Sequence, residues 1–195
     1  MVGIIIAGLP ASGKGTQCNK LAETYGLAHV NIGENLRHEV KRETAIGKEA
    51  ENHIKKGKLV PDALVKEVMD KLLSAHEGVR GFIFDGFPRS VEQAKILSEI
   101  SVKHGLQIKA MIYLQVDEEE ITKRIQKRAK ESDRNDDQDP AVVKQRIDRQ
   151  RKEISDLITF YQKEGIYYKV DGKAGIDEVF KEIKGVIENN QLLID

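Results

Sequence analysis

Val2-Gly-Ile-Ile-Ile-Ala7, followed by Gly8-Leu-Pro-Ala-Ser-Gly13-Lys14-Gly15-Thr16, is the stretch whose reading decides the fold. A continuous, mostly β-branched run is the mark of a strand covered on both faces. Glycines follow at once, and from Lys14 to Thr24 the pattern becomes helical. A glycine-rich turn between a strand and a helix, with a lysine near its end, is the setting of a phosphate-binding loop. Successive backbone N–H groups form an anion cradle there, and the helix N-terminus adds favourable dipole charge. Lys14 is placed to reach the β- and γ-phosphates of a nucleotide. A merely structural turn needs neither the lysine nor this spacing.

The loop departs from the general motif in one place. Serine or threonine normally follows the lysine and ligates Mg²⁺, but here Gly15 follows and the hydroxyl comes at Thr16. The metal is therefore expected to rest on phosphate oxygens and waters, which Mg²⁺ tolerates. Asp85, at the end of the apolar run Gly81-Phe-Ile-Phe-Asp85, is the candidate carboxylate behind those waters. Taken alone it reads as a turn former. Gly86-Phe87-Pro88-Arg89 then sets a guanidinium beside it.

Outward from this stretch the chain alternates. Four further short apolar runs read as strands: 28–32, 81–84, 110–116 and 166–170. Helical periodicity lies between them, clearest where Val143, Ile147, Ile154, Leu157, Ile158 and Tyr161 form one stripe. Asp139 before Pro140 marks that helix's start, an N-cap ahead of a first-turn proline. Alternation of this kind predicts an α/β fold with a parallel sheet between helices, and ligands at the strands' carboxyl ends. Two stretches fit it poorly. Residues 33–59 are helical and charged, and 129–139 read as a polar loop; either is a candidate cover over a site.

The 195 residues suit one domain, with 32 basic and 32 acidic side chains balancing to zero. That balance argues against a general nucleic-acid or membrane-surface binder, while leaving room for a local arginine cluster that grips phosphate. A single cysteine, Cys18, excludes an intramolecular disulfide and a cysteine-cluster zinc site; its place on the helix after the loop reads as packing. The N-terminal run is too short to span a bilayer and lacks the flanks of a secretory signal, so a cytoplasmic location is expected. His29, His38, His53, His76 and His104 show no ligand spacing of the His-Glu-x-x-His kind. Arg149 and Arg151 match no motif and read as solvated.

GLPASGKGTQ, GKLVPD (57–62) and DGFPRSVEQA (85–94) together resemble the three signature segments of the adenylate kinase family. The likeness runs nearly the whole length and takes in SDRNDD (132–137), similar to the family's lid. It implies a P-loop NTPase fold spanning 1–195, with a five-stranded parallel core flanked by helices. A mobile acceptor-binding region at 31–60 and a short lid at 129–139 match the two odd stretches. The short lid has no cysteine or histidine, so no lid zinc is expected.

By resemblance, Ala11, Ser12, Gly13, Lys14, Gly15 and Thr16 hold the ATP phosphates. Arg124 stacks on the ATP base, and main chain near Ala174 contacts it. Arg37 and Arg89 grip the acceptor phosphate, while Arg128, Arg134 and Arg146 surround the phosphoryl group in transit. Ile32, Lys58, Leu59, Val60, Gly86, Phe87, Pro88 and Gln93 line the acceptor's place. Arginine suits this chemistry, because the moving phosphoryl group spreads charge over its oxygens and guanidinium forks match it. The resemblance implies reversible transfer from Mg-ATP to AMP by a monomer. UMP/CMP kinase is the near alternative; Gln93 favours adenine, whose donor–acceptor edge an amide can pair. A nucleotide-binding regulator without transfer is the distant one. Asn19-Lys20-Leu21-Ala22 lacks the aspartate of a guanine-reading segment, and Arg128, Arg134 and Arg146 are all kept.

Two departures from the family bear on the site. Asn31-Ile32-Gly33-Glu34 stands where Ser-Thr-Gly-Asp is common, so a polar contact to the acceptor is lost at Ile32. Ala11 replaces a common loop glycine, a strained choice if that position needs positive φ.

Overall fold

The computed structural model describes residues 1–56, 58, 60–76, 78–131 and 135–193. Strand β1 (Val2–Gly8) is buried along its whole length because it is the centre of the sheet. It pairs in parallel with β3 (Gly81–Asp85) on one side and β4 (Gln107–Gln115) on the other. β2 (Ala28–Val30) joins outside β3, and β5 (Tyr167–Asp171) outside β4. The order β2-β3-β1-β4-β5 is a five-stranded, all-parallel sheet with helices on both faces, as the alternation of runs predicts.

Because side chains alternate along a strand, the pure apolar run of β1 feeds two cores. Ile5 and Ala7 point with Phe82, Phe84 and Met111 into a layer closed by α4 (Asp62–Ser74), α5 (Val91–Lys103) and α8 (Pro140–Lys163). Ile4 and Ile6 point with Ile83, Ile112 and Leu114 into a layer closed by α1 (Lys14–Tyr25) and α9 (Ile176–Asn189). Each such side chain contributes about 1.5–3 kcal/mol on leaving water. A third, smaller cluster of Leu9, Val116, Ile121, Ile125, Val143 and Ile147 joins α6 (Glu118–Glu131) to the start of α8.

Several boundaries differ from the expected ones, each for a local reason. The run 28–32 stops as a strand at Val30, because Asn31 caps α2 (Ile32–Lys41) by accepting Glu34 N–H at 2.9 Å. Ile32 is therefore the first residue of a helix. The charged stretch after it folds as α2 and α3 (Ala45–Lys55), the latter capped by Thr44. Segment 129–139 is not a polar loop throughout. Helix α6 continues to Glu131, with three glutamates in its first turn and basic residues in its last, a charge order that favours its dipole. A short turn, α7 (Asn135–Gln138), precedes the cap at Asp139, which accepts Ala141 N–H at 2.8 Å. The expected site residues Leu59 and Arg134 lie outside the described residues.

Candidate active site

The carboxyl ends of β1, β2 and β3 open into a cavity of about 870 Å³. Ala11, Gly13, Lys14, Gly15 and Thr16 line it from the loop, Asp85, Gly86, Pro88 and Arg89 from the end of β3, and Arg124, Arg128 and Arg146 from α6 and α8. Ser12 is buried beneath the loop. Ala174 is exposed on the turn after β5, and Ile176 just beyond it lines the cavity. Arg124 is held beside that turn by Glu120 (2.7 Å) and by the Gly172 carbonyl (3.2 Å).

Two glycines of the loop matter in different ways. Gly13 takes φ +98° at the start of α1, a conformation that L side chains rarely adopt. A Cβ on Gly15 would stand 3.4 Å from Asp85 Oδ2, so the residue after the lysine lies directly against the carboxylate. Ala11 takes φ +59°, so the methyl on this residue does sit in the left-handed region.

Lys14 Nζ lies in the cradle, donating to the carbonyls of Gly8 (2.9 Å) and Leu9 (2.7 Å). Burial pulls its pKa down to about 8 against the opposing pull of the Asp85 carboxylate. A buried ammonium ringed by carbonyls is poised for an anion that would restore its solvation. Burial works to raise Asp85, but His29, the charge of Lys14 and a 2.6 Å hydrogen bond from Asn31 together hold it below the ordinary carboxylate range. Asn31 thus uses its carbonyl to cap α2 and its amide to fix Asp85.

A second recess of about 80 Å³ adjoins the cavity, lined by Ile32, Arg37, Lys58, Val60, Gly86, Phe87, Arg89, Gln93 and Arg146 among others. The guanidinium groups of Arg37 and Arg89 converge on Gly33, where a Cβ would stand 3.5 and 3.4 Å from them. Arg89 is braced by the Gly86 carbonyl at 2.8 Å. Burial and the neighbouring Arg146 weaken its hold on its proton, yet a guanidinium stays charged. Gln93 Oε1 accepts the Arg89 N–H at 2.9 Å, which fixes the amide and turns its NH₂ into the group offered to a ligand. The two recesses meet at Gly86, whose missing Cβ would lie 3.5 Å from Lys14 Cε and 3.7 Å from Arg89 Nη2.

Four contributors escape the sequence reading. Asp137, fully buried as a side chain, binds Arg128 through both oxygens (2.6 and 3.0 Å) and Arg146 at 2.6 Å. Burial acts to raise its pKa, but the two arginines hold it below the ordinary range. Arg149, expected to be solvated, is half-buried and stands 3.4 Å from Glu153. Burial raises Glu153, which lines the main cavity with Gln150. Positions 146, 149, 150 and 153 share one face of α8, and that helical spacing was the available signal. Arg151 is exposed, as expected, with Glu118 as its partner.

His29 Nε2 is buried without a hydrogen-bond partner, 3.4 Å from Asp85 Oδ2. Pairing across β2 and β3 is what brings them together. Among the described residues no helix is long and apolar enough to cross a membrane.

A cradle, a carboxylate and converging arginines can hold two phosphorylated ligands end to end, and known proteins point the same way. A family model described as adenylate kinase matches residues 6–166. An adenylate kinase of Parabacteroides distasonis is 40% identical over 189 residues, covering 97% of this chain and 99% of its own. One of Phocaeicola vulgatus is 37% identical, covering 96% and 99%. One of Flavobacterium psychrophilum is 34% identical, covering 97% and 100%. With the match extending over most of its length, this chain is a member of the adenylate kinase family.

Proposed function

We propose that the protein catalyses reversible phosphoryl transfer from Mg-ATP to AMP, giving two ADP. The observation that carries this reading is the junction at Gly86, where the loop lysine and Arg89 of the second recess both come up against the same missing Cβ. The ATP phosphates lie along the loop N–H groups with Lys14 at the terminal one. The AMP phosphate lies between Arg37 and Arg89. Arg128 and Arg146, oriented by Asp137, meet the charge that spreads over the moving group, with Arg134 as a third. No protein nucleophile is required, because positioning and electrostatics do the work in this chemistry.

One buried carboxylate, Asp85, with Thr16 on the same cavity wall, suits a cation that keeps its waters better than one caged by protein. Bound Mg²⁺ supplies charge neutralisation across the phosphate oxygens. Asp85 holds its place through Asn31 and presents its charge to the cavity. Closure of 31–60 and 129–139 over the ligands excludes water and so suppresses hydrolysis.

For the acceptor base, Lys58, Val60, Phe87 and Gln93 line the second recess, and Pro88 lies on the main cavity wall beside it. The NH₂ of Gln93 is the group offered to an acceptor nitrogen such as adenine carries. Ile32 offers only apolar contact there. Neutral net charge and the family suit a cytoplasmic monomer acting on free nucleotides, away from nucleic acid and membranes. The deciding assay supplies Mg-ATP with AMP, dAMP, CMP, UMP or GMP in turn. AMP should be preferred; a preference of about tenfold or more for CMP or UMP overturns the assignment to adenylate.

A further inference from the structure

Cys18, His29 and Asp85 come from three separate elements, α1, β2 and β3, and their ligand atoms all lie within 4.8 Å of one another. Their chemistry is mixed: a thiol, an imidazole and a carboxylate. That set differs from the oxygen ligands Mg²⁺ selects and matches what Zn²⁺ and its thiophilic neighbours select. Metal–ligand bonds of about 2.0–2.1 Å at a tetrahedral angle put two first-shell N and O atoms roughly 3.4 Å apart. His29 Nε2 and Asp85 Oδ2 stand 3.4 Å apart.

That imidazole nitrogen is buried and makes no well-formed hydrogen bond, although it faces the Asp85 carboxylate. His29 and Asp85 both line the main cavity, so a cation can enter from solvent and a water can complete a fourth position, while Cys18 closes the site from behind.

We propose that Cys18, His29 and Asp85 form a binding site for a thiophilic divalent cation such as Zn²⁺, reached through the nucleotide cavity. Binding forms a metal–sulfur bond and releases the thiol proton to solvent, with no change of oxidation state. Occupation takes Asp85 out of the cavity's service and so halts phosphoryl transfer. This second part rests on the role proposed above for Asp85; the binding itself does not. The site is separate from the lid, where no zinc is expected.

The test begins with the nucleotide-free, chelator-stripped protein titrated with Co²⁺ and, in parallel calorimetry, with Zn²⁺. Since Cys18 is the sole cysteine of the chain, any thiolate-to-cobalt absorption band in the near ultraviolet reports that residue. One equivalent should produce the band, and Cys18→Ser should abolish it. Loss of an outer-shell partner alone lowers metal affinity about 10–100-fold, so Cys18→Ser and His29→Gln should each weaken Zn²⁺ by at least that lower figure. Should Cys18→Ser lose the wild-type circular dichroism spectrum, His29→Gln, at the cavity wall, carries the comparison.

Absence of the band at saturating Co²⁺, or Zn²⁺ affinity that survives both substitutions, overturns the site. Zinc should also inhibit transfer by the wild type and spare Cys18→Ser. A bound, thiolate-ligated metal that leaves transfer intact keeps the site and overturns the part assigned to Asp85.

Discussion

The two ends of the proposed active site are made of different material. At the donor end the contacts come from backbone: a strand, a turn fixed by Gly13 at φ +98°, and the first N–H groups of α1. At the acceptor end they come from side chains on separate elements, with Arg37 on α2, Arg89 after β3, Gln93 on α5 and Arg146 on α8. A cradle of backbone depends on few side chains, so most substitutions leave it standing and one lysine dominates. A pocket of side chains divides its affinity among many residues and can be retuned at any of them.

The largest effect on turnover should come from the donor end. Lys14→Met removes a preorganised charge, and comparable losses amount to about 2.7–4 kcal/mol, or roughly 10²–10³ in turnover. The unliganded protein should melt no lower than the wild type, because the substitution also removes a buried ammonium whose pKa burial has pulled to about 8. Activity and melting temperature measured on one preparation check both halves; a parallel fall in both would erase the distinction between cradle and pocket.

Next is the pair of arginines that both ends share. Asp137→Asn removes the charge that faces both Arg128 and Arg146, the latter only 6% exposed, and breaking such a buried pair costs about 3–5 kcal/mol. The loss should also show in acid. Asp137 and Asp85 are held below their unfolded value of about 3.9, so near and below that pH the unfolded chain binds more protons and stability rises with pH. Their contribution is complete above the unfolded value and disappears as pH falls through the folded one. Urea midpoints from pH 6 downwards should therefore fall less steeply for Asp137→Asn than for the wild type.

Smaller effects belong to the acceptor end. Ile32→Thr restores a hydroxyl beside the second recess, at some loss of apolar burial, since Ile32 is 5% exposed. It should lower KM for AMP about 5–10-fold, on the order of a single added hydrogen bond of ~1 kcal/mol, with kcat little changed. A kcat change without a KM change would place residue 32 in the reacting part and not in acceptor binding. Smallest of all is Ala11→Gly, which relieves the left-handed backbone at φ +59° but gives chain entropy back to the unfolded state. A gain of less than ~1 kcal/mol in chemical denaturation is expected.

The same contrast governs what the sequence reveals. Strand β1, the loop and α1 are contiguous, so the periodicity and the glycines of one short stretch carry the donor end. The proposed acceptor end and the segment proposed as a lid need contacts between residues far apart in the chain. His29 meets Asp85 only through the pairing of β2 with β3, and Asp137 shows itself as a buried counter-ion only once α6 and α8 come together. Local chemistry also misleads where a cap intervenes: the apolar run 28–32 continues past Val30, but Asn31 turns the chain into a helix. In 129–139 polarity reads as loop, although α6 runs on to Glu131 and Asn135–Gln138 is a helical turn.

The third apolar cluster has a consequence for how the protein breathes. Leu9, Val116, Ile121, Ile125, Val143 and Ile147 bind α6 to the start of α8 and meet the rest of the fold near the loop. A patch of that size can open as a cooperative unit well below the free energy of global unfolding. Amide protons of α6 and the first turns of α8 should then exchange together, ahead of β1 and β3, and slow together when a nucleotide spans the cavity. The small core would work as a clasp whose looseness sets how often the site admits a ligand.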